Sequence, residues 1–358
     1  MKKIRVLHCP FNIGDHRWLL SRLERKLGVD SDLVIFSEPA FPGHFDRCLH
    51  INSHSLPNEI KKISFLKEAL KKYDVFHFNA GSSIWDNFFP GLNLLDLPIL
   101  KRAGKKIVVT YHGDDARQKD YYLKEYNISY HSEKYYRSKN YSLFDKLLDS
   151  NKKRRIKKYA RYADKIFAIS PDIMNFLPEK TELLPTCIAL DNLLPKIKKK
   201  NTSPIKIVHA PSDRAIKGTA TVVEAVKELS TKYPLEFILV EKLNHEKALA
   251  LYQSADIAID QLIVGWYGTF AVELMARGVP VAAYLRGSDL EKFVPWRKEI
   301  PVVNAQTKEE LKEALAVLIE NPTLRKSLGQ KSQAYVKKYH NPYLFAQKLV
   351  KTYREITQ

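Results

Sequence analysis

Apolar positions along the chain alternate between two habits. Short unbroken apolar runs are separated by longer segments in which apolar residues recur every three or four positions. In the first half, runs at 3–8, 32–36, 74–78, 106–111 and 165–169 predict strands, and segments 16–27, 59–72 and 94–102 predict helices. Leu19, Leu20, Leu23 and Leu27 share one face of the first helix, and Gly28 stops it. In the second half, runs at 205–210, 235–240, 256–260, 279–283 and 301–303 predict strands, with helices over 217–232, 245–254, 269–277 and 308–319. Two closing helices, 322–338 and 342–356, are divided by His340-Asn341-Pro342. Such alternation predicts an α/β fold of parallel sheets covered on both faces. Residues 192–204 (NLLPKIKKKNTSP) read as a linker, which gives two doubly wound, Rossmann-like domains over 1–191 and 205–341.

The stretch 255–283 organises the second half as strand, glycine loop, helix and strand. Gly265 and Gly268 flank Trp266 and Tyr267, Thr269 opens the helix, and Gly278 and Pro280 close it. A helix that begins in a glycine loop at a strand's carboxyl end offers free amides, here Gly268, Thr269 and Phe270, to an anion. Glu273 lies about one turn in. A carboxylate repels phosphate, so its natural partner is a sugar diol, and phosphate on the amides with ribose on the acid describe a nucleotide site.

Other groups fit that chemistry. In HAPSDRAIKG (209–218), Arg214 and Lys217 lie three apart at a strand end, a fork and a point charge suited to one diphosphate. Without an anion, two cations at a helix start would be disfavoured. In VVTYHGDD (108–115), His112 ends a strand; Asp114 and Asp115 invite a metal reading, but adjacent carboxylates there point apart. Gly14, in FNIGD (11–15), either approaches a phosphate or merely turns the chain. His77, with Ser82 and Ser83 after it, suggests acceptor contacts.

Residues 255–283 resemble the nucleotide-sugar motif of GT-B glycosyltransferases of the GT4 type. In that motif a Glu, seven intervening residues and a second Glu precede a small residue and Gly-x-Pro-Val. Glu273, Gly278, Pro280 and Val281 fit the second half, and Gly265 stands where the first Glu would be. The resemblance implies a GT-B fold whose final helix, 342–358, crosses back onto the first domain. It implies transfer of a sugar from a nucleotide-diphosphate donor, a UDP- or GDP-sugar, to a glycan or lipid-linked acceptor hydroxyl. No metal and no cofactor beyond the donor is implied, and cell-surface polysaccharide synthesis in a bacterium is the expected setting. Arg214 and Lys217 resemble the family's diphosphate-binding pair, spaced three apart instead of the commoner five. His112 takes the place of a histidine close to the transferred sugar, and domain closure would bring it to the donor. Without an acid at 265, no glycosyl-enzyme intermediate is expected on that loop; the enzyme can still retain configuration, and Trp266 is expected to stack on the sugar. A nucleotide-sugar epimerase on the same fold is the nearest alternative, and a basic nucleic-acid binder or DNA-glucosylating enzyme a more distant one.

The net charge of +19 points to an anionic partner, although lysine used as surface filler would also produce it. The basic run 151–165 (NKKRRIKKYARYADK), with Ile156, Tyr159, Ala160 and Ala163 to one side, reads either as a solvated helix or as one lying on an anionic membrane. Segment 118–145 holds Tyr121, Tyr122, Tyr126, Tyr130, Tyr135, Tyr136 and Tyr141, which would stack on sugars, sit at a lipid interface, or simply pack. No apolar run is long enough to span a bilayer, and MKKIRVLHCP reads as a first strand rather than a signal peptide. Three scattered cysteines suit reduced thiols. The expectation is a cytoplasmic protein, peripheral on the inner face of the plasma membrane if the basic helix docks there, with no nucleic-acid partner.

Overall fold

The computed structural model describes residues 3–38, 43–86, 92–129, 131, 141–190 and 204–358. In it the chain forms two compact units, one of Met1–Gln118, Ser142–Pro185 and Pro342–Gln358, the other of Lys119–Tyr141 and Thr186–Asn341. The first unit opens with β1 (Arg5–Cys9), α1 (His16–Lys26), β2 (Asp30–Ile35), β3 (Arg47–Cys48), α2 (Leu56–Lys72), β4 (Val75–Asn79), α3 (Asp96–Arg102) and β5 (Lys106–Tyr111). The chain then forms α4 (Lys119–Glu125), which belongs to the second unit, and resumes the first with α5 (Leu143–Tyr162), β6 (Lys165–Ala168) and β7 (Glu182–Leu183). The strands form one parallel sheet in the order β3-β2-β1-β4-β5-β6-β7. Covered on both faces, β4 and β5 have no need of alternation, which is why VFHFN and KIVVTY read as nearly continuous apolar runs.

The second unit continues with β8 (Ile205–His209), α6 (Arg214–Lys217), α7 (Thr219–Ser230), β9 (Leu235–Leu239), α8 (His245–Tyr252), β10 (Ile257–Ile259), α9 (Thr269–Ala276), β11 (Val281–Ala283), α10 (Gly287–Phe293), β12 (Val303–Asn304), α11 (Lys308–Glu320) and α12 (Pro322–Tyr339). Its sheet is also parallel, in the order β12-β11-β10-β8-β9. The last helix, α13 (Pro342–Thr357), belongs to the first unit. In each sheet the strand order reverses beside the first strand, at β1/β4 and at β8/β10. A crevice opens at such a point outside the carboxyl ends of the strands, because the flanking connections leave toward opposite faces.

Four expectations change. Of the expected leucine face only Leu20 is fully buried, with Leu19 and Leu23 half-buried; beside it Arg17, Ser21 and Glu24 are buried, because α13 packs on α1 and a polar network fills the contact. Glu24 accepts from Ser31 Oγ at 2.6 Å and from the Tyr353 hydroxyl at 3.2 Å, and lies 2.8 Å from His8 Nε2. The same hydroxyl is 2.6 Å from His77 Nδ1. Next, Ile156 and Tyr159 of α5, with Ala163 just after it, pack into the first unit's core with Phe76, Phe78 and Val109, so the apolar side of the basic helix is not available to a membrane. The tyrosine-rich excursion contributes α4 to the second unit, where Tyr121, Tyr122 and Tyr126 pack edge to face on one another; Tyr130, Tyr135 and Tyr136 lie outside the described residues. Most of the linker expected at 192–204 lies outside them too. Finally β3, β7, α6 and α10, short and without a clear period, were not expected as elements. No described helix is long and apolar enough to cross a membrane.

Tyr353→Phe removes the hydroxyl shared by two buried groups, His77 and Glu24. The expected cost is about 1–3 kcal/mol of stability, read as a lower urea midpoint by circular dichroism; an unchanged midpoint would mean that the network does not hold α13 in place.

Candidate active site

The loops after β8 and β10 meet at the switch point of the second sheet. Inside, the buried ring of His209 ties the two strands, with Nδ1 2.8 Å from the Ile259 carbonyl oxygen and Nε2 2.9 Å from Thr219 Oγ1; burial holds its pKa down, so it is neutral. At the rim, Lys217 Nζ donates to Asp260 Oδ1 at 2.8 Å, and the Gly268 amide donates to Asp260 Oδ2 at 2.5 Å. One buried carboxylate therefore fixes both the cation and the first turn of α9. A Cβ at residue 268 would sit 3.1 Å from Lys217 Nζ, so glycine lets the ammonium approach the backbone closely. No side chain caps α9, whose first residues are Thr269 and Phe270. Phe270 itself is buried, edge to face with Tyr252 at 5.1 Å.

The remaining expected residues lie around this centre with partners of their own. Arg214 grips Glu241 through Nε at 2.7 Å and Nη2 at 2.6 Å, and that pairing holds the guanidinium pKa up and the Glu241 carboxyl down. Glu273 Oε1 lies 2.7 Å from Nε2 of His245, at the start of α8. Trp266 differs from the expectation: its indole is 3% exposed and stacks on Tyr267 at 4.3 Å, so neither face is offered to a sugar in this arrangement. Gly265 has φ +89°, and a Cβ there would fall 2.8 Å from Nη1 and 2.9 Å from Cζ of Arg286, whose side chain fills the space an acid at this position would need.

In the first unit, the β1/β4 edge gathers histidines and one guanidinium. Arg17 Nη1 lies 3.3 Å from His77 Nε2, and Thr110 Oγ1 lies 2.8 Å from the same atom. Burial first, and Arg17 second, lower the pKa of His77, His112 and His16, the last to about 4. His112 Nε2 is buried without a hydrogen-bond partner. Asp115 accepts from the amides of His112 and Gly113, and Asp114 pairs with Arg117, so the two carboxylates do not converge. Gly14 turns the chain at φ +59° just before α1, with the ring of His16 against it. Nearby, a cavity of ≈ 320 Å³ is lined by Phe11, Phe36, Lys62, Ser82, Ser83, Asp86 and Arg155, among others.

Residues 193–335 match the protein family described as glycosyl transferases group 1. The matched stretch lies in the second unit. The chain also resembles several solved structures. Sucrose-phosphate synthase from Thermosynechococcus elongatus superposes with a TM-score of 0.65 at 16% identity, covering 99% of both chains. Anabaena HepE in complex with UDP gives 0.62 at 13% identity, over 99% of this chain and 100% of that one, and its complex with UDP-glucose gives 0.62 at 12%. WaaG, a glycosyltransferase involved in lipopolysaccharide biosynthesis, gives 0.56 at 14%, over 97% of this chain and 99% of that one. At such identities the likeness carries the fold, which is GT-B with two Rossmann-like sheets. No curated protein matches the chain in sequence.

Within the matched stretch, Asp260, Glu241, His245 and Arg286 carry contacts that the sequence alone did not single out. Asp260 had one visible signal, a carboxylate ending an otherwise apolar strand and followed by a glycine loop. Asp260→Ala leaves Lys217 largely buried without its counter-ion. Breaking such a pair costs about 3–5 kcal/mol, which predicts a lower urea midpoint for the second unit, followed through Trp266 and Trp296. An unchanged midpoint would show that the pair does not brace these loops.

Proposed function

We propose that the protein transfers a sugar from a UDP-sugar donor to a hydroxyl of a glycan or lipid-linked acceptor, as a GT4-like enzyme of bacterial surface polysaccharide synthesis. The observation that carries this reading is Lys217, Asp260 and the Gly268 amide joined across the β8/β10 switch point. The UDP and UDP-glucose bound by HepE support the donor, and the part of WaaG in lipopolysaccharide biosynthesis supports the acceptor class. The diphosphate would lie on the uncapped start of α9 at Thr269 and Phe270. Lys217 would then share its charge between Asp260 and phosphate, and Arg214 would turn its fork from Glu241 to the diphosphate. The ribose diol would take the place of His245 on Glu273.

In the transfer step the bond from the anomeric carbon to the β-phosphate breaks with its electron pair on phosphate, where the two cations stabilise the growing charge. The acceptor oxygen closes on the anomeric carbon, and its proton passes to the departing diphosphate. Gly265 offers no nucleophile, so retention, which we propose, proceeds without a glycosyl-enzyme intermediate. His112, neutral because buried, has a ring nitrogen with no partner among the described residues, which a sugar hydroxyl would supply once the site opens. The cavity beside Ser82 and Ser83 is the proposed acceptor seat. We further propose that the outer face of α5, with Arg154, Lys157 and Arg161 beyond exposed Leu143, Phe144 and Leu147, rests on an anionic bilayer.

Donor hydrolysis and transfer across a panel of nucleotide sugars test the central reading. Arg214→Ala and Lys217→Ala are each expected to weaken UDP binding about tenfold or more, since a charge-assisted hydrogen bond contributes roughly 1.5–3 kcal/mol. Full binding and turnover in both variants would remove the pair from the site, and conversion of the donor sugar without transfer would mark an epimerase. Sedimentation with vesicles tests the surface: binding to anionic vesicles should fall as salt rises, whereas equal binding to neutral ones would overturn the membrane proposal.

A further inference from the structure

The 261–268 loop is held between two cations, Lys217 against Gly268 at one end and Arg286 against Gly265 at the other. Arg286 follows β11 on the same carboxyl edge of the sheet, and its amide donates to the Gly265 carbonyl at 3.0 Å. Its side chain is 3% exposed. Nη1 donates to Asp289 Oδ2 at 3.1 Å, and the ring of Tyr126 covers the guanidinium face at 3.8 Å. Nε and Nη2 are buried and have no hydrogen-bond partner among the described residues.

Those two nitrogens form one edge of the guanidinium, with parallel N–H bonds that match the two oxygens of a carboxylate. In this same chain the equivalent edge of Arg214 holds Glu241 in that way. Asp289 reaches the opposite nitrogen, and Tyr126 lies over the face, so none of the described residues takes the edge. A buried donor without an acceptor is costly, and a ligand that supplies two coplanar oxygens removes the cost. Gly265 and Arg286 also exclude a side-chain acid from this place, which leaves the sugar end of the loop cationic instead of acidic.

We infer that Arg286 recognises a carboxylate on the donor sugar, so that the donor is a nucleotide-activated uronic acid in preference to a neutral hexose. The inference rests on the nucleotide-sugar reading of the site. Because the edge is closed to water in the unliganded protein, binding must shift the Tyr126 side of the packing; the Tyr126 hydroxyl, 3.4 Å from Asp289 Oδ1, is the contact that would change.

Calorimetry of the full chain with UDP, UDP-glucose and UDP-glucuronate separates the outcomes. The wild type should bind UDP-glucuronate at least about tenfold more tightly than UDP-glucose, the size expected of a charge-assisted bidentate contact. Arg286→Gln should abolish that preference and leave UDP affinity unchanged. Arg286→Lys, which keeps the charge and loses the fork, should lose most of it. A wild type that binds UDP but favours UDP-glucose, or treats the two sugars alike, overturns the inference without variants. Equal weakening of UDP and UDP-glucuronate in Arg286→Gln would place the guanidinium on phosphate and overturn it as well. Failure of the wild type to bind UDP would instead remove the nucleotide reading, and this inference with it.

Discussion

The second unit depends on one ion pair. Asp260 is almost fully buried at the end of β10, and its two oxygens hold Lys217 from the β8 loop and the amide that opens α9. A lone carboxylate in that position would be costly, and so would a lone ammonium; together they join two loops that the sheet brings side by side. The contact sets a positive charge beside a helix start that no side chain caps, an arrangement suited to a phosphate group. The same physics accounts for Gly268, because only a residue without a side chain lets the ammonium lie against the backbone.

The first unit handles buried polarity differently. Its switch point is filled by two imidazoles, a tyrosine hydroxyl and Glu24, linking β1, β2, β4, α1 and α13. Burial and the nearby Arg17 keep His77 and His112 uncharged. Polar groups so placed specify how α13 docks more narrowly than an apolar contact would, since each needs a partner at a fixed distance and direction. They also leave His112 Nε2 as an unfilled position at the edge where a sugar hydroxyl is expected.

Cations in this chain divide by environment. Arg155 grips Asp86, and Lys152 and Lys158 donate to backbone carbonyls, so part of the basic helix is structural. Arg154, Lys157 and Arg161 face outward. Arg286 is of a third kind: buried, paired with Asp289 through one nitrogen and covered by the ring of Tyr126.

The sequence by itself determined the alternation of strands and helices, the two parallel sheets and the loop on which the site is built. These are local matters of apolar period, glycine and proline, and the boundaries fall within a few residues, as at Lys106–Tyr111 and Thr269–Ala276. It also marked Lys217, Gly268 and Glu273, whose types and spacing suit a nucleotide. What pairs with them was decided by the tertiary structure alone. Asp260, Glu241, His245 and Arg286 lie many residues from their partners along the chain, and side chains of separate loops meet only once the strand order is set. The leucine face of α1 misled for the same reason: period shows that a helix has an apolar side, and only its neighbours decide which side is buried. Trp266 was expected to face a ligand and instead lies buried against Tyr267, because burying two stacked rings removes more apolar surface from water than leaving one exposed.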